Sequence, residues 1–93
     1  MRIVVRMRRA EGDLERLLGV FRRRGWQVVG LEARLGREGT TMTVHATLEG
    51  ERSPEVLARQ VGRLVEVESV HLDEAEPQVA RFAGVRAKEV LGP

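Results

Sequence analysis

Residues 14–35, LERLLGVFRRRGWQVVGLEARL, decide the fold. Leu14, Leu17, Leu18 and Phe21 recur at i, i+3, i+4 and i+7, one face of a helix, while Glu15, Arg16, Arg22 and Arg23 take the other face. Gly25 follows the basic last turn, where a residue without Cβ adopts a left-handed cap at least cost. Beyond it Val29, Leu31, Ala33 and Leu35 alternate with Val28, Gly30, Glu32 and Arg34, so the period falls from 3.6 to 2. Helix, glycine stop and strand in that order predict a helix packed on one face of a sheet.

The flanking segments complete the pattern. Ile3, Val5 and Met7 alternate with arginines from Arg2 to Arg8 as a first strand. A short loop, Arg9-Ala10-Glu11-Gly12, leads to Asp13 near the helix start, where a carboxylate suits the helix dipole. The second strand is expected at about 26–35, and Gly36-Arg37-Glu38-Gly39 signals a hairpin turn. Met42, Val44, Ala46 and Leu48 then alternate with Thr41, Thr43, His45 and Thr47. Ser53-Pro54-Glu55 combines a capping hydroxyl, a first-turn proline and an acid, and Leu57, Val61, Leu64 and Val65 mark the buried stripe of a second helix. Val70 and Leu72 give a last strand, with Glu68, His71 and Asp73 polar around them.

The order is β-α-β-β-α-β, and right-handed crossovers place both helices on one sheet face. The expected fold is α+β: a ferredoxin-like sandwich whose four-stranded antiparallel sheet runs 2-3-1-4. It spans residues 1–74. Residues 75–93 form a tail, either helical from Pro77 with Val79, Phe82 and Ala83 inward or disordered. Gly19 in mid-helix costs about 1 kcal/mol relative to alanine, and is read as marking a close contact in the core or with a partner, the core being preferred.

Composition narrows the function classes. A chain of 93 residues is one domain, and the absence of cysteine excludes a disulfide framework, a thiolate zinc site and a catalytic thiol. No run approaches the roughly 18 apolar residues of a membrane span, and no secretory segment follows the N-terminus. A soluble cytoplasmic protein is expected. The net charge of +2 hides fifteen arginines, against the single Lys88, nearly balanced by twelve glutamates; asparagine and tyrosine are absent. GC-rich coding and adaptation to heat both produce this bias.

No enzyme chemistry is expected. Ser53 is explained as a helix cap, Ser69 lies inside a strand, and neither has an evident base. Acylphosphatase-type chemistry on this fold needs an asparagine, and the chain has none. No metal site is expected either: His45 and His71 fall on strands flanking the first, roughly 10 Å apart, too far to share one zinc ion. RNA-recognition modules share the element order but stack bases on aromatics of the open sheet face. Here Phe21 is assigned to the core and Trp26 stands alone at a strand start. What discriminates is whether Arg2, Arg6 and Arg8 are free on that face or paired with glutamates.

Two phrases carry a family resemblance. Val20 to Trp26, VFRRRGW, is similar to the LFSRRGF that ends the first helix in small regulatory subunits of acetolactate synthase. Gly62 to Val67, GRLVEV, followed by ESVHL, is similar to their NKLVDV and last strand. LERLL at Leu14–Leu18 and the SPEVL helix start resemble the short, single-domain members especially well. The resemblance covers residues 2–74 and is to the ACT domain on which those subunits are built. Pro77-Gln78-Val79-Ala80-Arg81 looks like the start of the second domain of longer members, cut off.

The resemblance implies a non-catalytic subunit that activates the thiamine-dependent catalytic subunit of acetolactate synthase in branched-chain amino acid biosynthesis, with no cofactor of its own. It also implies a homodimer with a small amino acid bound between the first β-α loop of one protomer and a strand of its neighbour. On this chain those positions are Arg9, Glu11, Gly12 and Asp13 in the loop, and Gln27 and Val28 in the strand. Feedback-sensitive members usually have asparagine at Arg9, proline at Glu11 and asparagine at Gln27. The expectation is therefore a retained fold and partner interface with weak or altered valine sensing. A stand-alone amino-acid-sensing ACT dimer serving another enzyme is the alternative, and an RNA-binding module the third reading.

Overall fold

A computed structural model describes residues 1–73. The expectations for the tail, including Pro77, Val79 and Phe82, lie outside the described residues. The elements are β1 (Arg2–Arg8), α1 (Asp13–Arg23), β2 (Gln27–Leu35), β3 (Thr41–Glu49), α2 (Pro54–Gly62) and β4 (Val67–Asp73). They form one four-stranded sheet in the order β2-β3-β1-β4, antiparallel throughout. This is the ferredoxin-like sandwich expected, with both helices on one face.

The register explains the core. Ile3 of β1 lies opposite Ala46 and Leu72, and Val5 opposite Val44 and Val70, so every second residue of β1 and β3 faces the helices, while β4 adds Leu72, Val70 and, beyond a register shift, Val67. Leu17 and Phe21 of α1 and Leu57 and Val61 of α2 close over them, all essentially inaccessible. Each such side chain contributes roughly 1.5–3 kcal/mol relative to an exposed one. Gly25 ends α1 with φ 84°, and the Trp26 amide donates to the Phe21 carbonyl at 2.9 Å. Ser53 Oγ caps α2 by accepting from the Val56 amide at 3.4 Å. The β2–β3 turn closes through the Gly36 amide on the Thr41 carbonyl at 2.8 Å.

Four details differ from the sequence reading. The ladder between β2 and β3 slips between Val28 and Gly30, so Val28, opposite buried Leu48, takes the core face and Val29 is left 49% exposed. The stripe of α1 shifts: Val20 is buried, whereas Leu14 and Leu18 are only half-buried. Helix α2 ends at Gly62, one turn earlier than its apolar stripe suggested, and Val65 lies in the following turn, 78% exposed. Gly19 does not meet the core; a Cβ there would touch Arg23 Nη1 at 3.2 Å, the guanidinium of the next helical turn.

Candidate functional site

The loop between β1 and α1 is organised by Asp13. Its Oδ2 accepts from the Ala10 amide at 3.0 Å and from Arg9 Nε at 3.3 Å, and its Oδ1 accepts from the Leu14 amide at 2.6 Å. Gly12 at the N-cap has φ 77° and no capping side chain, so the carboxylate one residue later satisfies donors that a helix N-terminus leaves open. Asp13 is 7% exposed. Its pKa is held below the ordinary carboxylate value, first by the Ala10 amide, then by the Leu14 amide and Arg9, against the opposing effect of burial.

A second carboxylate closes the same end of the molecule. Glu66, in the turn before β4, is 6% exposed and forms an ion pair with Arg16 of α1. Arg16 Nη2 also donates to the Glu11 carbonyl at 3.0 Å, and the Arg8 amide donates to the Glu66 carbonyl at 2.8 Å. The pKa of Glu66 is lowered, chiefly by its own backbone amide and then by the bond from Arg16, while burial and Asp13 push the other way. Sequence reading missed both groups: Arg16 was assigned to the solvent face and Glu66 had no periodic signal.

Gln27 and Val28 lie elsewhere. The Arg9 amide bonds the Thr40 carbonyl at 3.0 Å, which fixes the loop at the Leu35 end of β2. Gln27 and Val28 begin β2 at the other end, past an α1 helix of 11 residues, roughly 16 Å long at 1.5 Å per residue. One chain therefore joins Arg9, Glu11, Gly12 and Asp13 to one another, but not to Gln27 and Val28. These two line a groove of about 430 Å³ with Leu18, Arg22, Trp26 and Leu31, within the size range of small-ligand pockets. Trp26 is buried beside it, and its indole Nε1 has no hydrogen-bond partner among the described residues.

The open sheet face bears on nucleic acid binding. Arg6 Nε pairs with Glu68 Oε1 at 3.3 Å, and Arg8 Nη2 donates to the Val65 carbonyl at 2.7 Å. Arg2 Nη2 lies 3.4 Å from His45 Nδ1. Phe21 and Trp26, the aromatic side chains among the described residues, are both in the core. Among the described residues no Phe, Tyr or Trp ring is available on this face for base stacking. His45 and His71 sit on either side of Val4, as the strand order required, and no group of three potential metal ligands assembles among the described residues. No described helix is long and apolar enough to cross a membrane.

No curated protein matches the sequence. Among solved structures, formyltetrahydrofolate deformylase from Burkholderia mallei ATCC 23344 is similar with a TM-score of 0.60 at 13% identity, over 75% of this chain. This chain spans only 27% of that protein. The C-terminal domain of the MgtC protein from Mycobacterium tuberculosis is similar with a TM-score of 0.59 at 17% identity, covering 75% of this chain and 80% of that one. Both likenesses are of fold. The model of the ACT domain matches residues 9–70, from the Asp13 loop into β4, and the chain belongs to the ACT-domain family.

Proposed function

We propose that this chain is a non-catalytic, cytoplasmic regulatory subunit that binds and activates the catalytic subunit of acetolactate synthase, with weak response to valine. Membership in the ACT family supports a regulatory role. The phrases VFRRRGW and GRLVEV, in register with the end of α1 and with the connection from α2 to β4, favour this particular enzyme.

The observation that carries the weak response is Asp13. Amides at a helix N-terminus are where a ligand's α-carboxylate would be held, and here the Ala10 and Leu14 amides already bond the chain's own carboxylate. An amino acid must displace Asp13 or bind without those donors. Ligand binding shifts an assembly only by its differential affinity for two states, so a loop filled from within gives little regulatory leverage.

The test is reconstitution of the catalytic subunit from the same source, assayed with and without this protein and titrated with valine, leucine and isoleucine. Activation with co-elution, and a rate that changes less than about twofold across millimolar valine, is the expected result. Micromolar valine binding by calorimetry would overturn the weak-sensing part. Absence of any complex would favour the second reading, an amino-acid-sensing dimer serving another enzyme, which the groove beside Gln27, Val28 and Arg22 supports.

A further inference from the structure

The arginines sort by face. Arg6, Arg9, Arg16 and Arg34 each pair with a carboxylate, on the open sheet face or around the Asp13 loop. The helical layer differs at its Gly25 end. Among the described residues Arg22, Arg23, Arg52, Arg59 and Arg63 are exposed and enter no ion pair. Arg24 Nη2 donates to the neutral Gln60 Oε1 at 3.0 Å, which carries its charge across from α1 to α2. Arg52 Nε lies 3.5 Å from where a Cβ of Gly25 would stand, so it too meets the end of α1. Val56, Arg59, Gln60 and Arg63 recur at i, i+3, i+4 and i+7, along one face of α2 and its C-cap.

Helix dipoles account for part of this charge. Arg22 and Arg23 end α1 and Arg59 lies in the last turn of α2, where a cation is favoured. Arg52 precedes the N-cap Ser53, at the positive end of α2, and gains nothing from the dipole. Arg59 and Arg63, one turn apart, repel each other. Glu55 stands one turn before Arg59, yet its Oε1 accepts from Ser53 Oγ at 3.1 Å and pairs with no arginine among the described residues. Folding alone does not call for this concentration of charge.

We propose that this arginine face of the helical layer docks an acidic protein surface. The inference rests on the proposed function only for the owner of that surface, there the catalytic subunit. Guanidinium groups grip carboxylates through a planar fork, and protein interfaces are enriched in arginine and depleted in lysine. Every cation of this face is arginine. The relief also suits a protein. Val56, 41% exposed, sets an apolar contact among the charges. Arg52 walls an open depression of about 740 Å³ with Trp26, Gly50 and Pro54, room for an anchoring side chain. A nucleic acid would find no exposed ring for stacking here among the described residues.

NMR titration of the labelled full-length protein with a poly-glutamate peptide tests the face without any named partner. Shifts should fall on the amides of residues 22–25 and 52–63 and weaken as salt is raised. Arg59→Glu and Arg63→Glu should each weaken binding about tenfold, while Arg37→Glu, the same charge change in the β2–β3 turn, should leave it unchanged. Shifts elsewhere, or equal losses in all three variants, overturn the assignment. An oligonucleotide of equal charge that binds more tightly than the peptide gives the face to nucleic acid and overturns it too. So does a tenfold gain in E74Q/E76Q, which would make the chain's own acidic segment the occupant. Co-elution with the catalytic subunit, using the same variants, separates the two readings. Wild-type binding that R59E and R63E leave intact would remove this face and keep the proposed function. Peptide shifts on the face with no synthase binding by the wild type would keep the face and remove the synthase as its partner.

Discussion

Arg16 and Glu66, fifty positions apart in sequence, meet as an ion pair that fastens α1 to the turn entering β4. Glu66 is buried while Arg16 remains partly open to solvent. Removing one partner of such a pair leaves a buried charge uncompensated, which costs far more than an exposed pair is worth. Arg6 and Glu68 provide the comparison, with side chains 58% and 39% exposed. Arg6→Ala should shift stability by no more than about 1 kcal/mol, and Arg16→Ala should lower the thermal midpoint several times further. Equal effects in parallel melts would mean that Glu66 is solvated in solution.

Asp13 holds the loop that precedes α1, and its loss should be felt as the loss of a helix cap. Asp13→Ala should cost about 1–2 kcal/mol in denaturant unfolding. The pH dependence has a definite sign. Asp13 and Glu66 both titrate below their ordinary values of 3.8 and 4.5. The unfolded chain therefore takes up protons first as pH falls, and the stability they contribute is full above those values. That stability disappears as pH drops through the folded-state pKa values. The gap between wild type and Asp13→Ala should narrow steadily from pH 5 to pH 3; a constant gap would mean the carboxylate charge plays no part.

How much was legible follows from where periodicity speaks. β1 and β3 alternate in burial without interruption, so β1 was read to its limits and β3 to within one residue, Glu49, because one face is buried throughout. β2 carries Val28 and Val29 side by side, so the alternation fits either phase, and only pairing with Leu48 chooses between them. The apolar stripe beyond Gly62 reads as helix, yet the chain turns there through bonds from the Leu64 amide to Val61 and the Val67 amide to Leu64. Arg9, Glu11, Gly12 and Asp13 lie together in sequence, so they could be read together as one loop. Glu66 could not be read with them, because its environment is set by Arg16, fifty residues away, and no local pattern encodes that meeting.

Gly50 separates the need for space from the need for backbone freedom. A Cβ there would meet Trp26 Cε3 at 2.8 Å and the Gly25 carbonyl at 3.0 Å, a rigid ring and backbone. Gly50→Ala should destabilise by about 1–3 kcal/mol. Gly62 ends α2 with open space around the position, so Gly62→Ala should stabilise by about 0.4–1 kcal/mol through the unfolded chain. Gly39 also has open space, but its φ is 77°, and alanine there should destabilise despite the room. Chemical denaturation of the three variants checks all three signs together.

His45 gives a second pH dependence, near neutrality. It lies opposite Glu32 on β2 and Val4 on β1, with Arg2 Nη2 3.4 Å from its Nδ1. Burial, then the Arg2 charge and more weakly Arg34, push its pKa below 6.5, and Glu32 offsets only part of this. Folding thus favours the neutral ring. The resulting stability is complete above pH 6.5 and is lost as pH falls through the lower folded-state value, because the unfolded state binds the proton first. His45→Gln should flatten the fall in thermal midpoint between about pH 7 and pH 5 that the wild type shows. An NMR titration of the ring gives the direct reading. A midpoint below 6.5 that falls further in Glu32→Gln is the expected outcome, and a midpoint above 6.5 would mean that Glu32 outweighs burial and both arginines on this face.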